Sequence, residues 1–176
     1  GIIDNKPVIG MPGYPVSSYL AFSIFIDPLL RRFLGLEEED HSFVKAISSN
    51  KISSSLKHQE LVRISLGFVK DKLIATPLYS GAGVSMSLVK ADGIGSIPQR
   101  VEGIEAGGQI KVKLMKNLED IKKTLVSIGS HDIAIDIIGD MMKLSSAHVG
   151  SMGGILSMMR QESHLAPIHL VDMETG

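Results

Sequence analysis

Residues 110–114, Ile110-Lys111-Val112-Lys113-Leu114, alternate apolar and polar side chains without a break. A period of two puts the apolar groups on one face of an extended strand and the lysines on the other. Upstream, Leu61-Val62-Arg63-Ile64-Ser65-Leu66 and Phe43-Val44-Lys45-Ala46-Ile47 nearly repeat the rhythm. Turn signals separate the runs: Lys70-Asp71, Ser80-Gly81-Ala82-Gly83, Asp92-Gly93 and Gly107-Gly108. Short strands joined by close turns predict an all-β barrel or sandwich over residues 42–116.

The flanks read differently. On the N-terminal side, Lys6 to Met11 reads as a strand, Pro12-Gly13-Tyr14-Pro15 as a rigid turn, and Tyr19 to Leu34 as a helix capped by Ser17 or Ser18. Apolar residues cover most of that helix's circumference, which predicts burial on more than one side. Pro28 predicts a kink. Gly35 and the acidic run Glu37 to Asp40 read as a solvated linker. On the C-terminal side, Thr124 to Ile128 reads as a strand, His131 to Lys143 as a helix and Ala147 to Val149 as a strand. Gly153 to Gln161 follows as a helix, and Pro167 to Val171 as a third strand. Strand, Gly-Ser, helix, repeated once, is a parallel α/β pattern. The sheet is barely begun at Gly176 and the chain opens on Gly1, so a piece of a larger protein is expected.

Composition narrows the function classes. The chain has 176 residues, is 44% hydrophobic and 21% charged, and has a net charge of −1. That balance fits a globular protein and argues against a broad nucleic-acid footprint or a polybasic membrane patch. The absence of cysteine removes disulfides, cysteine–zinc sites, iron–sulfur clusters and thiol nucleophiles. Tyr19 to Ile26 is the longest apolar run and is too short to span a bilayer. A cytoplasmic location is expected, with no membrane or nucleic-acid partner.

The repeated Gly-Ser carries the most local information. Gly129-Ser130 and Gly150-Ser151 would open two helices at the carboxyl ends of neighbouring strands, the edge where open α/β sheets bind ligands. Helix N–H groups, hydroxyls and the close backbone at Gly153 suit a tetrahedral oxyanion. Ser130 and Ser151 as plain helix caps is the other reading. The six histidines show no tight ligand spacing, and His131-Asp132 alone is weak, so no metal ligand is assigned. Asp132 and Asp136 are expected to share a solvated helix face. Met141-Met142 and Met158-Met159 are expected to pack in a core rather than line a groove. The serines of 53–55, Ser85 and Ser87 lack a Gly-x-Ser-x-Gly elbow and read as loop serines.

Lys6-Pro7-Val8-Ile9-Gly10-Met11-Pro12-Gly13-Tyr14-Pro15-Val16-Ser17-Ser18 resembles the Lys-Pro-Val-x-Gly-Leu-Pro-Gly-Asn-Pro-Val-Ser motif of molybdopterin molybdenumtransferases, the MoeA and gephyrin E-domain family. Ser48 to Ser55, Gly81-Ala82-Gly83 through Leu88, Ala91-Asp92-Gly93-Ile94 with Ile97-Pro98, and Glu102-Gly103-Ile104 with Gly107-Gly108 are similar to that family's C-terminal β-barrel. Gly129 to Asp132, His148 to Gly154 and His169 to Gly176 resemble a periplasmic-binding-protein-like module fused behind the enzyme in some prokaryotes.

The resemblance implies a mixed α/β and all-β chain: the end of an α/β/α molybdopterin-binding domain over 1–40, a small β-barrel over 41–117, and an incomplete parallel α/β lobe over 118–176. It implies molybdenum cofactor biosynthesis, in which adenylylated molybdopterin and molybdate yield molybdenum cofactor and AMP with the help of Mg2+. Pro12, Pro15 and Ser87 take catalytic positions by this resemblance, Ser87 facing the cleft of a homodimer partner. Gly13, Tyr14 and Ser17 take pterin-binding positions, Tyr14 standing where the family usually has Asn. Ser130, Ser151 and Gly153 are the oxyanion candidates. The Mg2+ ligands are expected upstream, outside this chain, so the chain by itself is expected to be inactive. The alternative reading is a molybdate- or tungstate-binding or sensing module, or a scaffold, without insertion activity.

Overall fold

The computed structural model describes residues 1–37, 42–78 and 84–171. The chain forms two compact units, Gly1–His41 with Ser80–Val89, and Ser42–Tyr79 with Lys90–Gly176.

In the first unit, β1 (Ile2–Ile3) and β2 (Lys6–Pro7) form an antiparallel hairpin. Asp4 and Asn5 take φ values of 48° and 62°, the left-handed pair that a tight two-residue hairpin loop demands. The strand expected to reach Met11 therefore stops at Pro7. α1 (Pro15–Ala21) starts before both serines: Tyr14 is the extended N-cap residue, and Ser17 and Ser18 lie inside the helix. Proline explains the earlier start, because its ring presets the helical φ and its missing N–H is one that a first turn leaves unbonded anyway. A π-helical turn, Phe22–Ile26, joins α1 to α2 (Asp27–Leu34), and its wider winding lies just ahead of Pro28, whose ring an α-helical turn would crowd. Gly35 (φ 65°) ends α2, with the Leu36 N–H donating to Arg31 O at 2.9 Å. No residue of this continuous helix is buried, contrary to the apolar pattern: Phe25, Phe33 and Leu34 are 62%, 63% and 70% exposed. Two-residue strands supply too little surface to cover it. α3 (Val84–Lys90) carries Ser87, which is half-buried. The acidic run Glu38 to Asp40 and the Gly81-Ala82-Gly83 turn lie outside the described residues.

The second unit contains the barrel. β3 (Phe43–Ser48), β5 (Glu60–Val69), β6 (Lys72–Pro77), β7 (Gly93–Ile97) and β9 (Gln109–Leu114) close in the order β3-β6-β5-β7-β9. β4 (Ile52–Ser53) and β8 (Gly103–Ile104) pair separately. Closure comes from the parallel contact of β3 with β6 at Ile47↔Ile74 and Ser48↔Ala75. Ala46, Ile64, Leu66, Ile97, Ile110 and Val112 form the core, so the alternation in β9 reads as lysine outside and apolar inside. β6 and β7 were not expected as strands. In β7 the glycines at 93 and 95 dilute the apolar pattern because Val112 and Ile110 occupy the space a Cβ would take.

Behind the barrel come α4 (Leu118–Lys122), β10 (Leu125–Gly129), α5 (Ile133–Met141), β11 (Leu144–His148) and α6 (Gly150–Met159). β10 and β11 pair in parallel register, Gly129 opposite His148, as the repeat predicts. β11 begins three residues before the expected Ala147. The third strand is not at 167–171. A parallel bridge instead joins Leu165 to Ser127, with Ile128 N–H donating to Leu165 O at 3.0 Å. Ile135, not Ile133 or Ile137, is the buried residue of α5, and Met141, Met142, Met158 and Met159 are exposed rather than packed.

This sheet lies against the barrel. Val126, Ile128 and Ala147 pack on Val69 and Ile74. At Gly67 a Cβ would stand 2.4 Å from Val126 Cγ2, so only glycine lets β10 approach β5 this closely. Both faces of β5 are thereby covered, which removes the exposed–buried alternation from its centre.

Asp92 binds the same junction by charge. Expected in a turn, it is 0% exposed at the entry to β7. Its Oδ2 accepts from Leu66 N–H at 2.8 Å and Ser65 Oγ at 3.3 Å. Lys143 Nζ and Lys116 Nζ approach Oδ1 at 2.9 and 3.2 Å, an ionic contact outside good hydrogen-bond alignment. Lys143 also donates to Asp120 O at 3.3 Å, so one ammonium spans the barrel, α4 and the start of β11.

Gly67→Ala is expected to destabilise by about 1–3 kcal/mol through overpacking, with partial rescue by Val126→Ala, read from urea midpoints of the full chain. Rescue would be absent if the cost lay in β5 itself. Asp92→Ala strands the buried Leu66 N–H and is expected to cost about 1–3 kcal/mol or more. Lys143→Met should cost less in the same assay, because Lys116 still neutralises the carboxylate.

Candidate functional site

Chain path creates a candidate site at the carboxyl ends of the α/β strands. From β10 the chain passes through α5 to β11 on one side, then through α6 to the Leu165 segment on the other side of β10. Connections that leave one strand for opposite neighbours open a crevice at its carboxyl end, where open sheets bind ligands.

Ser130 leaves β10 at that point and is 4% exposed, with its N–H donating to Pro167 O at 2.8 Å. Its Oγ lies 2.9 Å from Ser151 Oγ. Ser151 Oγ in turn accepts from His169 N–H at 3.1 Å and lies 3.3 Å from His169 O. The two Gly-Ser repeats therefore meet, and Ser151 fastens them to the segment after the third strand position. Neither serine is an N-cap. Asp132 caps α5, accepting from Ala134 N–H at 2.7 Å, and Val149 is the N-cap residue of α6 without a side-chain bond. Asp132 thus precedes the helix and does not share a helix face with Asp136. Gly153 lies within α6, where a Cβ would come 2.6 Å from Val149 Cγ2, so its smallness serves packing inside the first turns.

Two imidazoles flank this edge. The rings of His131 and His148 are 4.6 Å apart, centre to centre, and tilted by 49°. His131 Nε2 is 3.8 Å from Asp136 Oδ2, and His148 Nε2 is 3.2 Å from Ser146 Oγ. Sequence spacing hides this pair, since 17 positions separate them. The parallel register could have shown it, because His148 lies opposite Gly129, two residues before His131.

The other candidate residues lie in the first unit. Pro12, Gly13, Tyr14, Pro15 and Ser17 are consecutive or nearly so, and all are exposed, Tyr14 by 72%. Gly13 does not use a positive φ, and a Cβ there would meet nothing within 4 Å, so the turn presents open backbone. Ser87 sits apart in sequence on α3. Among the described residues no three His, Asp or Glu side chains converge to hold a metal, and no chemical step is assigned to Mg2+. No described helix is long and apolar enough to cross a membrane. On the barrel surface Lys51 donates to Glu105 Oε1 at 2.6 Å, and this bond raises the ammonium pKa without joining either candidate region.

Residues 45–115 match the family model of the MoeA C-terminal region, domain IV, a span that coincides with the barrel. A Methanocaldococcus jannaschii protein named for molybdopterin biosynthesis is 37% identical over 120 residues, covering 66% of this chain and 26% of its own. A Mycobacterium tuberculosis protein named molybdopterin molybdenumtransferase 2 is 29% identical over 115 residues, covering 64% of this chain and 27% of its own. Among solved structures, a molybdopterin biosynthesis MoeA protein from Pyrococcus horikoshii superposes with a TM-score of 0.53 at 33% identity, covering 66% of this chain and 28% of that one. The chain spans about a quarter of the length of the curated relatives it matches. Its five-stranded barrel has a MoeA domain IV-like fold.

Because Ser130 and Ser151 bond each other, their hydroxyls act as a pair. Ser130→Ala or Ser151→Ala should each cost about 0.5–1.5 kcal/mol, and the double variant little more than the costlier single one. Denaturation midpoints of the four proteins check this; full additivity would show that the hydroxyls work separately.

Proposed function

We propose that this chain is the C-terminal part of a molybdopterin molybdenumtransferase that works in molybdenum cofactor biosynthesis. The carrying observation is the domain IV match over residues 45–115, laid on a closed five-stranded barrel. The names of the relatives and the Lys6 to Ser18 motif ahead of the barrel support it. In this reading the whole protein is cytoplasmic and homodimeric, and it transfers molybdate to adenylylated molybdopterin with release of AMP. Mg2+ is held by residues of the whole protein beyond the described ones.

The exposed turn at Pro12 to Pro15 presents rigid backbone to the pterin. Two prolines limit its conformations, so a substrate docked there loses little to loop ordering. Ser87 offers a hydroxyl from a separate helix. The chain alone is expected to release no AMP, with activity appearing only in the longer protein. There, Pro12→Ala or Pro15→Ala should lower AMP release while leaving the melting temperature nearly unchanged. AMP formed by the isolated chain, or unchanged kinetics in both proline variants, would overturn this assignment.

A second reading, oxyanion binding or sensing at the α/β edge, is favoured by the Ser130–Ser151 contact at 2.9 Å. Two hydroxyls and the start of α6 offer a tetrahedral dianion donors without a lysine. Binding must displace the hydroxyls from each other and from His169, which opposes affinity. Titration calorimetry with molybdate, tungstate, sulfate and phosphate should show binding that either serine-to-alanine change weakens roughly 10-fold or more. An absence of heat with all four anions would reject it.

A further inference from the structure

We propose that His131 and His148 form a binding site for one borderline divalent transition metal ion, of the Cu2+, Ni2+ or Zn2+ class. The site is distinct from any Mg2+ requirement of the proposed reaction and does not depend on that reaction.

Parallel register creates the pair. β10 and β11 end side by side, with Gly129 opposite His148, and the turn after Gly129 carries His131 across to the neighbouring strand end. The ring centres come to 4.6 Å. A metal held by two imidazole nitrogens at about 2.0–2.1 Å, with the ligand angles of tetrahedral or octahedral geometry, sets ring centres about 4.5–5 Å apart. The observed spacing falls in that range, and both residues are exposed.

Each ring also has an outer partner on the same nitrogen. Ser146 Oγ lies 3.2 Å from His148 Nε2, and Asp136 Oδ2 lies 3.8 Å from His131 Nε2. In the tautomer in which His148 Nε2–H donates to Ser146 Oγ, the lone pair is left on Nδ1 and the hydroxyl steadies the ring, as the outer partners of metal-bound histidines do. Asp136 stands at ion-pair distance from His131 and adds negative charge beside that ring. Ser146 is therefore a positioning residue for His148, Asp136 supplies charge near His131, and water completes the coordination. Among the described residues no third protein ligand joins the pair. Imidazole nitrogen selects Cu2+, Ni2+ and Zn2+ over the oxygen-seeking Mg2+.

The experiment is calorimetric titration of the 176-residue chain, without an affinity tag, with Cu2+, Ni2+, Zn2+ and Mg2+. One equivalent of each transition metal should bind, Cu2+ most tightly, and Mg2+ should not. His131→Gln and His148→Gln should each weaken binding at least ~10-fold, and Asp136→Asn or Ser146→Ala by up to ~10-fold. His58→Gln, on the barrel side of the chain, should leave affinity unchanged. Circular dichroism melts in chelator confirm that the variants are folded. Should a variant unfold, Cu2+ electron paramagnetic resonance of the unsubstituted chain decides the matter: hyperfine structure from two nitrogens supports the site. Binding that survives both histidine substitutions, a spectrum with one nitrogen or none, or no transition-metal binding would each overturn it.

Discussion

The carboxylate of Asp92 is the constraint on which the second unit depends. A fully buried charge is tolerable only when the groups around it supply what water would have supplied. Here Leu66 N–H and Ser65 serve one oxygen and two ammonium groups serve the other. The main chain of Asp92 adds to this: its N–H donates to Ile64 O, and its carbonyl accepts from the N–H groups of Met115 and Lys116. One residue therefore specifies the relative positions of β5, β7 and the exit from β9, and through Lys143 the position of β11 as well.

Apolar contact then makes the barrel and the small sheet a continuous body. Glycine at 67 admits Val126, and the layer of Val69, Ile74, Val126, Ile128 and Ala147 excludes water between them. Fixing β10 and β11 on the barrel in turn fixes what their carboxyl ends carry. Ser130 meets Ser151, and His131 meets His148, because two parallel strands end in register. Both the oxyanion reading and the metal site rest on that register rather than on any local motif.

The barrel was legible in the chain through β3 and β9, whose period of two leaves lysines outside, most plainly in β9. β6 escaped notice because Leu73, Ile74, Ala75 and Thr76 are all buried, which erases alternation, and β7 because its small residues carry little hydrophobic signal. The N-terminal helix was legible as a helix, yet its burial was not, since an apolar circumference records a tendency to be covered and not the cover itself. In the candidate site, the placement of both Gly-Ser repeats at one sheet edge was legible from the repeated order of strand, Gly-Ser and helix. The assignment of caps was not: Asp132 and Ser130 are equally suited by type, and only the direction in which the chain leaves β10 gives the task to Asp132.

Local chemistry that depends on a few neighbouring residues was thus settled by the amino-acid sequence alone. It set the β period, the parallel α/β repeat, the glycine end of α2, and the Lys6 to Ser18 motif. Tertiary structure alone decided matters that depend on contacts between distant residues. These are the burial of Asp92 between Lys116 and Lys143, the close approach at Gly67, the third strand position at Leu165, and the meeting of His131 with His148. The physical reason is that a side chain's environment in a fold is set by partners far along the chain, and no periodicity or spacing encodes which partners those are.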